Sequence, residues 1–101
     1  MFATPLYYWN MSGQIRIAID RLFALEEGDG NLLRGHGRAS VLLMAAEGHG
    51  FEDVLVYYDH LMEHLRWKNL GHVLAGGNMN VGDIQDKPEL RQAYELGKSI
   101  R

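Results

Sequence analysis

Apolar and polar positions along this chain switch repeatedly between two periods. Thr4-Pro5 ends an extended segment, because the residue before a proline is pushed out of the helical region. Leu6, Tyr7, Tyr8 and Trp9 follow as a short aromatic stretch with neither a helical nor a strand period. Over residues 12–27 the pattern turns helical. Ser12 suits the cap position, and Ile15, Ala18, Ile19, Leu22 and Leu25 recur at three- and four-residue spacing. Gly28 and the loop Asp29-Gly30-Asn31 close this helix. The apolar run 39–46, bounded by turn signals, suits a strand buried on both faces. It stops at Glu47-Gly48-His49-Gly50. Residues 51–67 return to helical spacing, with Phe51, Val54, Leu55, Tyr58, Leu61 and Leu65 on one face. Glu52 and Asp53 in the first turn and Arg66 and Lys68 at the end complement the helix dipole. A third strand is predicted over 70–75, ended by Gly76-Gly77. Pro88 opens a last helix, with Leu90, Ala93, Tyr94, Gly97 and Ile100 as its inward face.

The order strand end, helix, strand, helix, strand, helix predicts a parallel sheet with right-handed crossovers. Three helices cannot cover both faces of so short a sheet well, and its first strand leaves unpaired edge groups. Self-association is therefore expected, with a homodimer pairing the two first-strand edges as one arrangement.

Composition narrows the chemistry. The chain has 101 residues, so it is read as a single domain, and 47% of them are hydrophobic, enough for a core. A net charge of −3 without a basic block argues against nucleic-acid binding. Without cysteine, disulfides, thiolate catalysis and Cys-ligated metal centres are excluded. No run approaches membrane-spanning length and no signal peptide is visible, so a soluble cytoplasmic protein is the expectation.

Several patterns carry candidate chemistry. His60-Leu61-Met62-Glu63-His64 matches the spacing of a zinc-protease signature, and two histidines one turn apart can share a metal. Leu61 and Leu65 define the buried face, however, so surface or partner-facing histidines are the favoured reading. Gly48-x-Gly50 and Gly76-Gly77 lack phosphate-binding spacing and read as strand-to-loop turns. Arg16 and Asp20 can pair weakly across one helical turn.

Residues 4–12, followed by Arg16 and Asp20-Arg21, resemble the flavodoxin-like NAD(P)H-dependent FMN reductases. In that family the third strand ends in a T/S-P-x-Y-x-x-x-x-S segment, and a helix with K/R-x-x-x-D-R spacing follows. Leu74-Ala75-Gly76-Gly77, Val81-Gly82-Asp83-Ile84, Lys87-Pro88-Glu89-Leu90 and residues 93–98 read like its last strand and helix. The resemblance implies an α/β, partial flavodoxin-like three-layer unit built from the last three strands and three helices. On this reading residues 1–101 lack the N-terminal half whose loop cradles the FMN phosphate. It implies FMN and NAD(P)H as cofactors and a small-molecule electron acceptor such as a quinone, iron or free flavin. Thr4, Pro5, Leu6, Tyr7, Tyr8, Trp9, Asn10 and Met11 would border the isoalloxazine ring. Ala46, Glu47 and Gly48 would border its other edge. Tyr7, Tyr8 and Trp9 would offer stacking surface, and the Asn10 and Met11 amides would bond ring oxygens. Hydride transfer belongs to the cofactors, so no catalytic acid or base is required. The alternative is a non-catalytic, self-associating interaction module without flavin.

Overall fold

The computed structural model describes residues 1–28 and 30–100; Asp29 of the predicted first loop lies outside them. The elements are β1 (Phe2–Pro5), α1 (Gly13–Arg21), α2 (Phe23–Glu27), β2 (Ala39–Ala45), α3 (Glu52–Leu65), β3 (Lys68–Ala75) and α4 (Pro88–Ser99). The three strands pair in the order β1-β2-β3, all parallel. This is the α/β alternation that the two periods predict.

The inner face of the sheet holds the core. Leu42 and Met44 of β2 meet Val54, Tyr58, Met62 and Leu65 of α3, with Phe51 and Met11 closing the cluster. Ile15, Ile19 and Leu22 pack against it from the first crossover, and Phe2 meets Tyr58 edge-on with ring centroids 6.3 Å apart. Both crossovers therefore lie on one side, as successive βαβ units of the same hand require. Among the described residues the buried Tyr58 hydroxyl has no hydrogen-bond partner. Burial raises its pKa, a tendency that the neighbouring Ser40 hydroxyl opposes.

Several local expectations need correction. The first helix is interrupted at Leu22, whose amide bonds the Ile19 carbonyl at 3.0 Å in a tighter turn, so α2 sets off separately. Ala18 and Leu25 of its predicted apolar face are exposed. The buried Met62 of α3 was not among the predicted inward positions. β3 begins two residues earlier than its apolar run, at Lys68. Among the described residues the i,i+4 ion pair is Arg91–Glu95, at 2.9 Å, and not Arg16–Asp20.

The largest departure concerns α4. Leu90, Tyr94 and Ile100 were expected to face inward, yet they are 49%, 58% and 45% exposed. The half-buried positions are Glu89, Ala93 and Leu96. The reason is geometric. α4 is the one helix packed on the outer face, it stands over β3, and its flank beyond that strand has nothing to pack against. A short 3-10 helix, Asp83–Asp86, leads into it. The Asp83 carboxylate accepts from the Met79 and Asn80 amides at 3.0 and 2.8 Å, which lowers its pKa.

Candidate functional site

The aromatic stretch after β1 forms a tight hairpin. Tyr7 and Asn10 exchange both backbone hydrogen bonds, at 2.9 and 3.1 Å. The two residues between them, Tyr8 and Trp9, have φ of 47° and 63°. A two-residue loop with positive φ at both positions is the turn that normally demands Asn and Gly. Two bulky aromatics held there cost about 1–3 kcal/mol each, and such strain collects at functional sites. The turn displays its rings to solvent. Tyr8 is 92% and Trp9 61% exposed, with their centroids 6.5 Å apart and planes tilted by 57°.

Neighbouring bonds fix the turn to its surroundings. The Leu6 amide donates to the Ala45 carbonyl at 3.1 Å, prolonging the β1–β2 ladder. Thr4 Oγ1 is buried and accepts from the Ser12 amide at 2.9 Å, while Ser12 Oγ caps α1 through the Ile15 amide at 3.4 Å. Strand end and helix start are thus tied across the hairpin.

Opposite the turn stands the loop after β2. Leu6, Tyr8, Trp9, Ala46, Glu47, Gly48 and Gly50 enclose a cleft of about 300 Å³. That volume is at the lower end of the range for small-molecule sites. The loop is held from behind by the loop after β3. The Gly77 amide donates to the Glu47 carbonyl and the Asn78 amide to the Ala46 carbonyl, both at 2.9 Å, and Lys87 Nζ reaches the Gly76 carbonyl at 2.6 Å. Gly76 permits this closeness, since a Cβ there would stand 2.5 Å from the Gly48 carbonyl oxygen.

Of the predicted ring-facing residues, the cleft brings together Leu6, Tyr8, Trp9, Ala46, Glu47 and Gly48. The other five lie outside its lining. Thr4 is part of the β1–α1 tie, Pro5 faces the opposite side of the sheet, Tyr7 closes the hairpin, and Met11 is buried in the core. Asn10 spends its side chain on the Met11 amide, at 2.8 Å. The Asn10 and Met11 amides, expected to be free for ring oxygens, are therefore engaged, the first by the Tyr7 carbonyl and the second by Asn10 Oδ1. Among the described residues no protein hydrogen bond takes up the Glu47 and Gly48 amides. Gly50 and the supporting Gly76, Asn78 and Lys87 were not foreseen. Asn78 directs its amide nitrogen to the Ala75 and Gly76 carbonyls, and its buried Oδ1 has no partner among the described residues.

The histidine pair of α3 has other company. His64 Nε2 lies 2.9 Å from Glu26 Oε1, across from α2, and His60 is exposed. Two larger concavities lie away from the aromatic turn. One, of about 430 Å³, runs between α1–α2 and the end of α3; the other, of about 410 Å³, lies on the outer face beside α4. The 300 Å³ cleft is the smallest of the three, but it alone combines the strained turn, exposed rings and unengaged amides.

The fold has a counterpart among solved structures. The chain superposes on the Trp repressor binding protein from Bacillus subtilis with a TM-score of 0.63 and 18% sequence identity. The match covers 95% of this chain and 57% of that one, so this chain spans little more than half the length of its neighbour. The fold is therefore flavodoxin-like in part: three parallel strands with their helices. No protein-family model matches the chain, and no curated protein does. Among the described residues no helix is long and apolar enough to cross a membrane.

Proposed function

We propose that this chain is the isoalloxazine-facing part of a cytoplasmic, FMN-dependent NAD(P)H oxidoreductase, acting on a small-molecule electron acceptor. The observation that carries the reading is the left-handed Tyr8-Trp9 pair on the rim of a cleft at the strand ends. Open α/β sheets bind ligands at the carboxyl ends of their strands. A flat ring entering there meets the Trp9 indole on one side and the Ala46–Gly48 backbone on the other. The unengaged Glu47 and Gly48 amides are the donors suited to its polar edge, in place of those of Asn10 and Met11. Bound FMN would supply the hydride chemistry; the chain's part is to orient the ring and shield it. The fit is one-sided. The cleft suits a ring, whereas residues 1–101 offer no glycine-rich strand-to-helix turn of phosphate-binding spacing. The test is an FMN titration followed by visible absorbance and flavin fluorescence. Binding with a perturbed flavin spectrum, weakened about tenfold or more by Trp9→Ala, is expected. Free FMN at high-micromolar protein sinks the reading.

A second reading, self-association without flavin, draws on the same exposed rings, which a second copy can cover as well as a cofactor can. Light scattering on the flavin-free chain near 100 µM separates the two. A dimer is this reading's expected result; a stable folded monomer removes it.

A further inference from the structure

The cleft beside the aromatic turn holds one group charged at neutral pH, the Glu47 carboxylate. Its side chain is exposed and, among the described residues, enters no ion pair. The rest of that wall, Ala46, Gly48 and Gly50, bears nothing larger than a methyl group, so it is flat backbone. A Cβ on Gly50 would lie 3.7 Å from Trp9 Cδ1 and Nε1, which brings the indole against this wall. Tyr8 and Trp9 line the cleft with their ring planes tilted by 57° to one another. Aromatic rings set at an angle beside a free carboxylate are the parts from which organic-cation sites are built.

The surroundings keep the same sign. Glu52 and Asp53 follow in the first turn of α3, both exposed, and offset the positive end of that helix. The nearby basic groups are committed elsewhere. The His49 ring lies against Gly76 and Gly77, and Lys87 Nζ is bonded to the Gly76 carbonyl at 2.6 Å, behind the cleft wall. The unengaged Glu47 and Gly48 amides attract an anion only through partial charges, whereas the carboxylate on the same loop carries a full one. A ring entering the cleft displaces water from around Glu47, and the lower dielectric strengthens the interaction of either sign.

We propose that the cleft selects its ring by charge: it takes a planar aromatic cation, of the N-alkylpyridinium or acridinium class, and rejects a planar anion, with Glu47 as the discriminating residue. The proposal rests on the reading of the cleft as a ring site; on that reading the favoured electron acceptor is a cation. The probes are three dyes of similar three-ring shape, each titrated against the whole chain and followed by fluorescence. Proflavine is a cation at neutral pH, lumiflavin is neutral and resorufin is an anion. Proflavine is expected to bind at one site per chain, at least about tenfold more tightly than resorufin at low salt. The gap shrinks as salt rises from about 0.01 to about 1 M, because exposed charges are screened. Glu47→Gln narrows it to about threefold or less, whereas Glu63→Gln, which removes the same charge from an exposed position on α3, leaves it unchanged. Resorufin bound as tightly as proflavine, or a gap that survives Glu47→Gln, overturns the proposal. Lumiflavin binding without any charge gap also overturns it and leaves the flavin reading standing. Proflavine held through Glu47 while lumiflavin stays free upholds it and removes flavin. Failure of all three to bind at about 100 µM chain removes both.

Discussion

At the residue scale, Tyr8 and Trp9 are costly choices for their backbone. Each sits in the left-handed region with a bulky side chain, where Asn or Gly is the usual occupant. Tyr8 recovers little of the cost through burial, being 92% exposed, and Trp9 is 61% exposed. Selection for stability alone would not keep them, which is why the turn is read as serving a ligand. Tyr8→Asn is accordingly expected to raise stability by about 1 kcal/mol, because Asn tolerates the turn and little buried surface is lost. A shift of the urea midpoint upward with unchanged slope is the readout. A drop in stability would mean that the ring packs on something in the folded chain. The aromatic run reads as a loop between strand end and helix, but it carries no Asn or Gly signal, so its two-residue hairpin geometry was not legible beforehand.

At the element scale, the cleft depends on two loops that touch. Its far wall, after β2, keeps its place because the loop after β3 lies directly behind it. A Cβ on Gly76 would stand 2.5 Å from the Gly48 carbonyl oxygen and 2.3 Å from His49 Nδ1. The histidine ring can swing aside, but the backbone oxygen cannot. Gly76→Ala is expected to cost about 1–3 kcal/mol in thermal or urea unfolding and to displace the cleft wall, as overpacked sites do. The same loss in a Gly76→Ala, His49→Ala double variant locates the clash at the backbone; full rescue by the second change would put it at the ring. The sequence showed these elements but not their contacts. Apolar periodicity specified β2, α3 and the parallel order, since each buries a regular face. It misjudged α4, where Leu90 and Tyr94 keep a helical spacing yet face an empty layer. It also treated Gly76-Gly77 as a simple turn, because close approach between distant loops leaves no local trace. Of the residues that the family resemblance named as ring-facing, Leu6, Tyr8, Trp9, Ala46, Glu47 and Gly48 line one cleft. The Asn10 and Met11 amides were misassigned, since a hairpin and an Asn side chain consume them.

At the scale of the whole molecule, two surfaces carry the interest, and they lie on different parts of the sheet. The cleft sits at the carboxyl ends of β1 and β2; the bare groove lies across the outer face, against the β1 edge. The contacts proposed for the ring all lie on residues of this chain, so they can be tested without a phosphate or a partner. The most direct measurement is a riboflavin titration of the isotope-labelled chain, followed by amide chemical shifts. The account predicts saturable shifts confined to residues 6–10 and 46–50, with the Glu47 and Gly48 amides moving most. An unperturbed spectrum at millimolar flavin, or shifts centred on the outer groove around Leu43 and Leu90, would contradict it.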